Sequence, residues 1–205
     1  MPNVTRNRPG RPPAPEQASK VADVALELFL EHGYDGLRTR ELARRLGVST
    51  GTLYHYFPSK DALFEAVVCR QMGRDIEAIR RFFLEIPSRA GRVRAIADFL
   101  EGNRELFDAQ NQLCFHYVHK RQQEGADMSV FLDDIYEGWL QMSRELLELR
   151  STFALDLLGQ VIDGFFMQWM QGSRSPDLRE FFAGLSRWLP RIDDEEWERA
   201  QSGSI

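Results

Sequence analysis

Between residues 37 and 60 the chain carries hydroxyl, aromatic and basic side chains around a short pattern of apolar positions. Such side chains can bind phosphates, and hydroxyl groups can also meet the edges of bases. The apolar pattern has a specific spacing, because four residues lead from Ala43 to Gly47 and six more lead to Leu53. A helix-turn-helix requires this spacing.

Each position of the pattern has a steric reason. Ala43 suits the point where two helices touch, because a larger side chain would push them apart. Gly47 can take a positive φ angle without a steric penalty, and Ser49 is a good N-cap for the second helix. Leu53 and Tyr56 give that second helix its buried side. The pattern therefore predicts two short helices joined by a tight turn.

The rest of the chain is also helical in period. Ahead of the motif, apolar residues from Val21 to Phe29 follow the i, i+3, i+4, i+7 rule, in a helix that starts near Glu16 and that Gly33 closes. Ser59 is predicted to cap a long fourth helix. Beyond Pro87 we predict further helices over residues 90–108, 111–123, about 127–150, around 158–170, and between Pro176 and Pro190.

These predicted elements define the fold class. No strand alternation and no internal repeat is present, so the fold class is all-α. We predict about nine helices, in an N-terminal three-helix helix-turn-helix domain that a long helix joins to a C-terminal ligand-binding and dimerisation domain. The predicted domains are a flexible basic Pro-rich arm over 1–15, the helix-turn-helix domain over 16–62, and the C-terminal domain over 63–205.

Composition places the chain among ordinary globular proteins, with 43% hydrophobic and 28% charged residues. No apolar run approaches the ~20 residues of a membrane span. No apolar stretch follows the N-terminal arginines, so a signal peptide is not predicted and a cytoplasmic location is expected. Cys69 and Cys114 both fall within helical patterns and are expected to be reduced.

The net charge of −5 is unevenly distributed. Residues 1–70 hold 10 Lys and Arg against 8 Asp and Glu, a net charge of +2, and residues 71–205 hold 16 against 23, a net charge of −7. Attraction to phosphate is therefore expected in the first third of the chain, and DNA would repel the acidic remainder.

Two stretches resemble a known family. The segment GVSTGTLYHYFPSKDALF, from Gly47 to Phe64, is similar almost residue for residue to the signature of the TetR/AcrR family of transcriptional regulators. The segment EHGYDG, from Glu31 to Gly36, is similar too. The resemblance covers about residues 16–68. It implies a homodimeric repressor that binds a palindromic double-stranded DNA operator and that a small, largely apolar or aromatic effector releases.

Arg38 departs from the family pattern, because many relatives have Thr or Ser there as a helix cap. Either Thr39 caps one residue later, or Arg38 caps poorly with help from Glu41. The Gly-Arg-Pro sequence around Arg11 resembles a minor-groove AT-hook, with a floppy Pro-rich leader as the alternative. If it does bind DNA, deletion of residues 1–12 weakens operator binding and flattens its salt dependence.

By resemblance, the second helix of the motif enters the major groove. Gly51 would let the backbone approach DNA closely, and Lys60 would add charge beside a helix N-terminus that favours anions. The residues predicted to contact DNA are Arg38, Thr39, Arg40, Arg44, Ser49, Thr50, Gly51, Thr52, Tyr54, His55, Lys60, Arg8 and Arg11.

The resemblance also implies that the last two helices pair with their copies in a second subunit, with burial in the chain's own core as the alternative. The predicted interface consists of Leu158, Ile162, Phe165, Trp169, Leu178, Phe181, Phe182, Leu185 and Leu189. A ligand pocket is expected between the fourth helix and the middle of the body, although each aromatic residue or Met there could be plain core. Its predicted lining is Phe83, Phe99, Phe107, Phe115, His116, Tyr117, Phe131, Trp139, Met142, Phe166, Met167 and Met170.

Other functions fit parts of the pattern. The chain lacks a Gly-x-Ser-x-Gly motif, a phosphate loop, a paired Cys motif and His-Glu-x-x-His, so neither an enzyme nor a cofactor is predicted. His116 and His119 share a helix face and could bind a metal with an acidic partner, but ordinary surface or pocket histidines are the preferred interpretation and no metal site is predicted. A ligand-independent architectural or protein-interaction factor on DNA, or an activator, would contain the same motif.

Overall fold

A computed structural model of the protein describes residues 15–170 and 177–202. Over these two ranges the chain is helical without strands, which confirms the predicted all-α class. The helices are α1 (Pro15–Gly36), α2 (Thr39–Leu46), α3 (Thr50–Tyr56), α4 (Lys60–Leu84), α5 (Arg89–Gly102), α6 (Arg104–Gln123), α7 (Ser129–Leu147), α8 (Thr152–Met170) and α9 (Leu178–Ser202). None of the described helices combines the length and the apolar character that a membrane crossing requires.

The chain divides into two compact units. One ends at Val67 and the other begins at Val68, so α4 starts in the first unit and ends in the second. The boundary predicted after residue 62 falls in the same helix, and the predicted assignment of functions to the two domains stays a prediction. Gly33 interrupts α1 with φ 71° and ψ 172°, as predicted for the end of that helix, and a short turn continues to Gly36.

Aromatic rings organise the core of the first unit. The ring of Phe64 meets those of Phe29 and Tyr34 edge to face, with centroids 5.0 and 5.3 Å apart. Such pairs contribute about 0.5–1.5 kcal/mol beyond the area they bury. Leu42 of α2 and Leu53 of α3 are buried as well. All four helices of the first unit therefore supply side chains to its core, which fixes α2 and α3.

The second unit has a large and a smaller apolar cluster among its described residues. The large cluster joins α5, α8 and α9, and includes Val93, Ala97, Leu158, Phe182 and Leu189. The smaller cluster joins α4 and α7, and is built on Ile79, Phe83, Met142 and Leu146.

The helices predicted over residues 90–108 and 111–123 need correction, because the chain breaks at Asn103. Helix α5 ends at Gly102, and Asn103 donates from its backbone N and its side-chain Nδ2 to the carbonyl oxygen of Phe99, at 3.1 and 2.8 Å. Glycine and asparagine both suit the end of a helix. The apolar spacing alone did not reveal this break.

The last helix also differs from its prediction, because α9 continues through Pro190. One turn later, the buried carboxylate of Asp193 accepts hydrogen bonds from the backbone N–H groups of Arg150 and Ser151, at 2.9 and 2.6 Å. These bonds fasten the residues after the proline to the start of α8. They offset the helix hydrogen bond that proline removes.

A buried cation lies where α5 approaches the end of α7. The guanidinium of Arg92 is buried and pairs with the carboxylate of Glu148, while Arg89 donates to the carbonyl oxygen of Glu148 at 3.2 Å. Glu148 ends α7 in the left-handed region, with φ 54°. That conformation is uncommon for a residue other than glycine, so the ion pair and the strained backbone occur at one position.

Candidate functional site

The turn between α2 and α3 has the predicted geometry. Gly47 lies in the left-handed region with φ 67° and ψ 29°, and the N–H of Val48 donates to the carbonyl oxygen of Ala43 at 3.0 Å. Ser49 caps α3, because its Oγ accepts from the N–H of Thr52 at 3.1 Å. Ala43 and Leu53 are buried beneath the turn. The motif is therefore a helix-turn-helix in which α3 is the second helix.

The start of α2 follows one of the two alternatives for Arg38. Arg38 is the N-cap residue in an extended conformation, and its side chain forms no capping hydrogen bond. The carboxylate of Glu41 lies 3.7 Å from the guanidinium of Arg45, which Glu31 also contacts at 3.0 Å, so Arg45 is paired. The Thr39 hydroxyl lies 3.4 Å from the hydroxyl of Tyr54 on α3.

Two tyrosines of α3 face different surroundings. Tyr54 is 49% exposed on the outer face, next to the exposed His55. Tyr56 is half-buried, and its hydroxyl donates to Oε1 of Gln17 on α1 at 2.6 Å. The predicted division of this helix into an outer and an inner face agrees with these positions. Tyr54 can meet a ligand outside the unit, and Tyr56 ties α3 to α1.

The start of α3 presents small polar groups. Gly51 is exposed, and a methyl group added to it would meet only Oγ of Ser49, at an ordinary distance of 3.6 Å. Thr50 and Thr52 are half-buried, and Oγ1 of Thr52 lies 2.9 Å from Oγ of the exposed Ser49. The fold therefore does not itself require glycine at position 51.

The predicted cations differ in their surroundings. Arg38, Arg40 and Arg44 are exposed and form no ion pair with any residue that the structure describes. Lys60 instead donates from Nζ to the carbonyl oxygen of Asp35 at 3.2 Å, and lies 4.7 Å above the ring of Tyr34. A phosphate contact from Lys60 would compete with these interactions. The remaining predicted cations, Arg8 and Arg11, lie outside the described residues.

The residues predicted to line a ligand pocket separate by burial. The buried ones are Phe83, Tyr117, Phe131 and Met142, the half-buried ones Phe99, Phe107 and Trp139, and the exposed ones Phe115, His116 and Met167. Ring contacts join Phe99 to Phe83 at 5.8 Å and to Phe107 at 6.0 Å. Tyr117 and Phe131 form a separate pair at 5.9 Å. The side chains of Phe166 and Met170 lie outside the described part.

A groove of about 490 Å³ follows the polar face of α7. It contains none of the residues predicted to line a pocket, because the prediction followed aromatic residues and Met. The signal for it is the helical spacing of polar residues along α7. Its lining residues are Asp133, Tyr136, Glu137, Leu140, Gln141, Arg144, Glu145 and Leu155.

Tyr136, which lines the groove, interacts with Asp163 and Cys114, and burial shifts the pKa values of all three. Burial raises the pKa of the Asp163 carboxyl, although the hydrogen bond from the Tyr136 hydroxyl lowers it in part. Burial, together with the neighbouring Asp163, also raises the pKa of Tyr136. Burial and the nearby Cys69 raise the pKa of the Cys114 thiol to about 11. These groups are therefore all held toward their protonated forms.

The residues predicted to form a dimer interface are mostly internal to the protomer. Leu158 and Phe165 are buried in the core of the second unit, as are Leu178, Phe182, Leu185 and Leu189. These six have almost no surface left to bury against a second copy. Ile162 and Phe181 are half-buried, and the side chain of Trp169 lies outside the description.

The two histidines considered for a metal are both exposed. Nε2 of His119 lies 2.9 Å from the side-chain amide of Gln123, and His116 is on the same helix. Within the described ranges, no three His, Cys, Asp or Glu side chains are arranged to hold a metal ion.

The family model described as bacterial regulatory proteins, tetR family, matches residues 21–67. The chain is 46% identical over 54 residues to the tetracycline repressor protein class D of Escherichia coli, a stretch that covers 26% of this chain and 25% of the relative. It is 22% identical over 170 residues to the fatty acid metabolism regulator protein of Bacillus subtilis, which covers 78% of this chain and 86% of the relative.

The fold is similar to that of solved regulator structures over most of the chain. The structure of the transcriptional regulator FadR from Bacillus subtilis in complex with stearoyl-CoA superposes with a TM-score of 0.56 at 20% identity, over 83% of this chain and 96% of the other. The family match coincides with the unit that holds the helix-turn-helix. Residues 21–67 therefore form a DNA-binding domain of the kind found in bacterial regulatory proteins of the tetR family, which supports a DNA-binding transcriptional regulator.

Proposed function

We propose that the protein is a homodimeric repressor that binds a palindromic operator through α3 and leaves it when a small molecule binds the second unit. The observation that carries this proposal is the exposed face of α3, where Tyr54 and His55 project from a helix that Ser49 caps. The stretch that is 46% identical to a tetracycline repressor supports repression rather than activation.

The DNA contacts divide by chemistry. Arg40 and Arg44 on α2 bind phosphates, since both are exposed and unpaired among the described residues. Tyr54 and His55 bind phosphates from α3. Thr50, Gly51 and Thr52 at the start of α3 approach the base edges, with the threonine hydroxyls as donors or acceptors. Phosphate contacts of this kind make the affinity fall as salt rises.

A second copy of the chain supplies the second recognition helix. Two-fold symmetry matches a palindrome whose half-sites are ~34–36 Å apart. Because most of the interface residues predicted on α8 and α9 are internal, we infer that the exposed and half-buried apolar side chains of these helices form the contact. The candidates are the exposed Phe153, Met167 and Trp188, with the half-buried Ile162 and Phe181.

The effector acts by shifting a population of dimers toward a form that cannot bind the operator, in the cytoplasm. A shift from 99% to 1% competent dimer requires a preference of about 10⁴-fold, or about 5.5 kcal/mol, which two bound effectors can share. Helix α4 belongs to both units and provides the connection. The FadR structure, a complex with stearoyl-CoA, supports a small-molecule effector for this fold.

The first test is a fluorescence anisotropy titration against the DNA upstream of the protein's own gene, at two salt concentrations. Two matched variants accompany it, Tyr54→Phe and Tyr56→Phe, each of which removes one hydroxyl of α3. Tight, salt-dependent binding that weakens in Tyr54→Phe, and that Tyr56→Phe leaves within a factor of two, would support the proposal. Tyr54→Ala removes the whole ring and should abolish specific binding.

Two results would contradict the proposal. Weak binding that is indifferent to sequence and to Tyr54 would mean that α3 does not read this DNA. Specific binding that no small molecule reverses would favour a ligand-independent architectural factor instead. Sedimentation equilibrium on the same sample establishes whether the species that binds is a dimer.

A further inference from the structure

The groove along α7 has a chemistry that the aromatic interior does not share. Its lining holds the carboxylates of Asp133, Glu137 and Glu145 against one guanidinium, that of Arg144. We propose that this groove binds an organic cation with an apolar or aromatic body, and that such a cation is the effector of the regulator. The inference rests on the proposed ligand response and names the chemical class of the ligand.

The size and the walls of the groove suit a small molecule. Its volume of about 490 Å³ falls within the ~300–1,000 Å³ of typical ligand pockets. Leu140 and Leu155 supply apolar walls, and the ring of Tyr136 can face a cation. A methyl group added at Gly159 would come within 3.1 Å of Leu140, so α8 closely approaches α7 there. This close approach backs the groove with a second helix.

The arrangement of charge favours a cation. Asp133 and Glu137 are exposed, lie one helical turn apart, and form no ion pair with any residue in the described ranges. Like charges at this spacing destabilise a helix. A bound cation removes that repulsion. Glu145 is already paired with Arg80 at 2.9 Å, so the attraction falls mainly to Asp133 and Glu137.

The same charges disfavour an anion. An acyl-CoA carries phosphates, and the carboxylates of Asp133 and Glu137 would repel them. Tyr136 donates its hydroxyl to Asp163, and burial favours the neutral form of that carboxyl. Recognition of charge therefore depends on the exposed carboxylates of Asp133 and Glu137. A ligand that combines a positive charge with an apolar body matches these carboxylates and the apolar walls of Leu140 and Leu155.

Isothermal titration calorimetry with tetraphenylphosphonium and tetraphenylborate tests the inference directly. These ions share four phenyl groups and nearly the same shape, and they carry opposite charges. The phosphonium should bind about tenfold more tightly, or by about 1.4 kcal/mol, because the carboxylates of Asp133 and Glu137 attract it and repel the borate. Operator release by the phosphonium is then followed by anisotropy.

Three variants locate the site, and a fourth is the control. Asp133→Asn and Glu137→Gln should each weaken phosphonium binding about threefold, and the double variant about tenfold. Asp134→Asn removes an exposed carboxylate from the same helix that does not line the groove, so it should leave the affinity unchanged. Circular dichroism checks that the helical content is unchanged in all four.

Several outcomes would overturn the inference. Equal binding of the two ions, or equal effects of Asp133→Asn and Asp134→Asn, would show that charge in the groove does not select the ligand. Absent phosphonium binding together with a weaker dimer in the double variant would assign the groove to the contact with a second copy. Phosphonium binding without operator release would remove its role as effector. If specific operator binding depends on Tyr54 while the phosphonium does not bind, the proposed repressor stands and this inference fails.

Discussion

The hydroxyl oxygen of Thr39, at the start of α2, lies 3.4 Å from the hydroxyl oxygen of Tyr54 on the exposed face of α3. The contact joins the two helices of the motif at the surface where DNA is proposed to bind. Because the Thr39 hydroxyl lies within hydrogen-bond reach of Tyr54, we predict that Thr39 orients the tyrosine that is proposed to contact the operator. Loss of the Thr39 hydroxyl should therefore change the position of the Tyr54 side chain.

Thr39→Val keeps the shape of the side chain and removes its hydroxyl. We expect operator affinity to fall about fivefold, since a hydrogen bond contributes about 1 kcal/mol. In a double-mutant cycle with Tyr54→Phe the two losses should be less than additive. Thr152→Val makes the same change at an exposed helix start in the second unit and should have no effect. Additive losses would mean that Thr39 and Tyr54 affect operator binding independently.

Gly51→Ala separates the needs of the fold from those of DNA binding. A methyl group fits at this position, and alanine is favoured over glycine in a helix by about 0.5–1 kcal/mol. We therefore expect a higher melting temperature together with weaker operator binding, because the methyl group blocks close approach of the backbone. Gly73→Ala in α4 has open space as well and should stabilise without changing the affinity. Unchanged binding by Gly51→Ala would place α3 further from DNA.

The helix-turn-helix could be predicted residue by residue because its requirements are local. The positive φ of Gly47 and the cap formed by Ser49 follow from covalent geometry and from hydrogen bonds that span three residues or fewer. The contact of Thr39 with Tyr54 could not be predicted, because the two residues are fifteen positions apart in the sequence. Local rules favour a capping role for threonine there, and the tertiary contact overrides them.

Asp193→Ala should destabilise the second unit by about 3 kcal/mol. The substitution leaves the part-buried N–H group of Arg150 and the buried N–H group of Ser151 without their acceptor, and the loss for a buried N–H group costs about 1–3 kcal/mol. Asp194→Ala, at an exposed neighbour that also pairs with Arg150, should cost less than about 0.5 kcal/mol. Urea unfolding followed by circular dichroism measures both. Similar losses for the two variants would mean that the N–H groups find other partners.

Asp163→Asn should stabilise the protein at pH 7 and have little effect at acid pH. Burial raises the pKa of Asp163 in the folded state, so the folded protein prefers the protonated carboxyl. Its favourable contribution is present below the ordinary pKa of 3.8 and is lost as pH rises through the folded pKa. Asparagine is neutral throughout and keeps an acceptor for Tyr136.

Urea unfolding at several pH values between 4 and 8 tests this sign. The exposed Asp156 on the same helix provides the control, since Asp156→Asn should change stability little at any of these pH values. A stabilisation by Asp163→Asn that grew toward acid pH would contradict a raised pKa of Asp163 in the folded state.

The second unit was harder to predict because its decisive contacts are distant in sequence. The acidic cluster near the C-terminus suggested a solvated end, yet Asp193 is buried against residues more than forty positions earlier. The broad apolar faces of α8 and α9 suggested an interface, and six of those residues pack within the protomer instead. Apolar periodicity shows that a face is buried and does not show which partner buries it.

Because Arg92 pairs with Glu148, whose backbone is in the left-handed region, we expect substitutions at the two positions to occur together during evolution. Glycine at 148 would relieve the backbone but leave a buried guanidinium without its carboxylate, and an apolar residue at 92 would leave glutamate in a strained conformation without benefit. Each single change is expected to destabilise the protein, whereas the joint change removes both the buried charge and the strained glutamate. We therefore expect Arg92→Leu with Glu148→Gly to be more stable than either variant alone, and homologous sequences to exchange the two residues together.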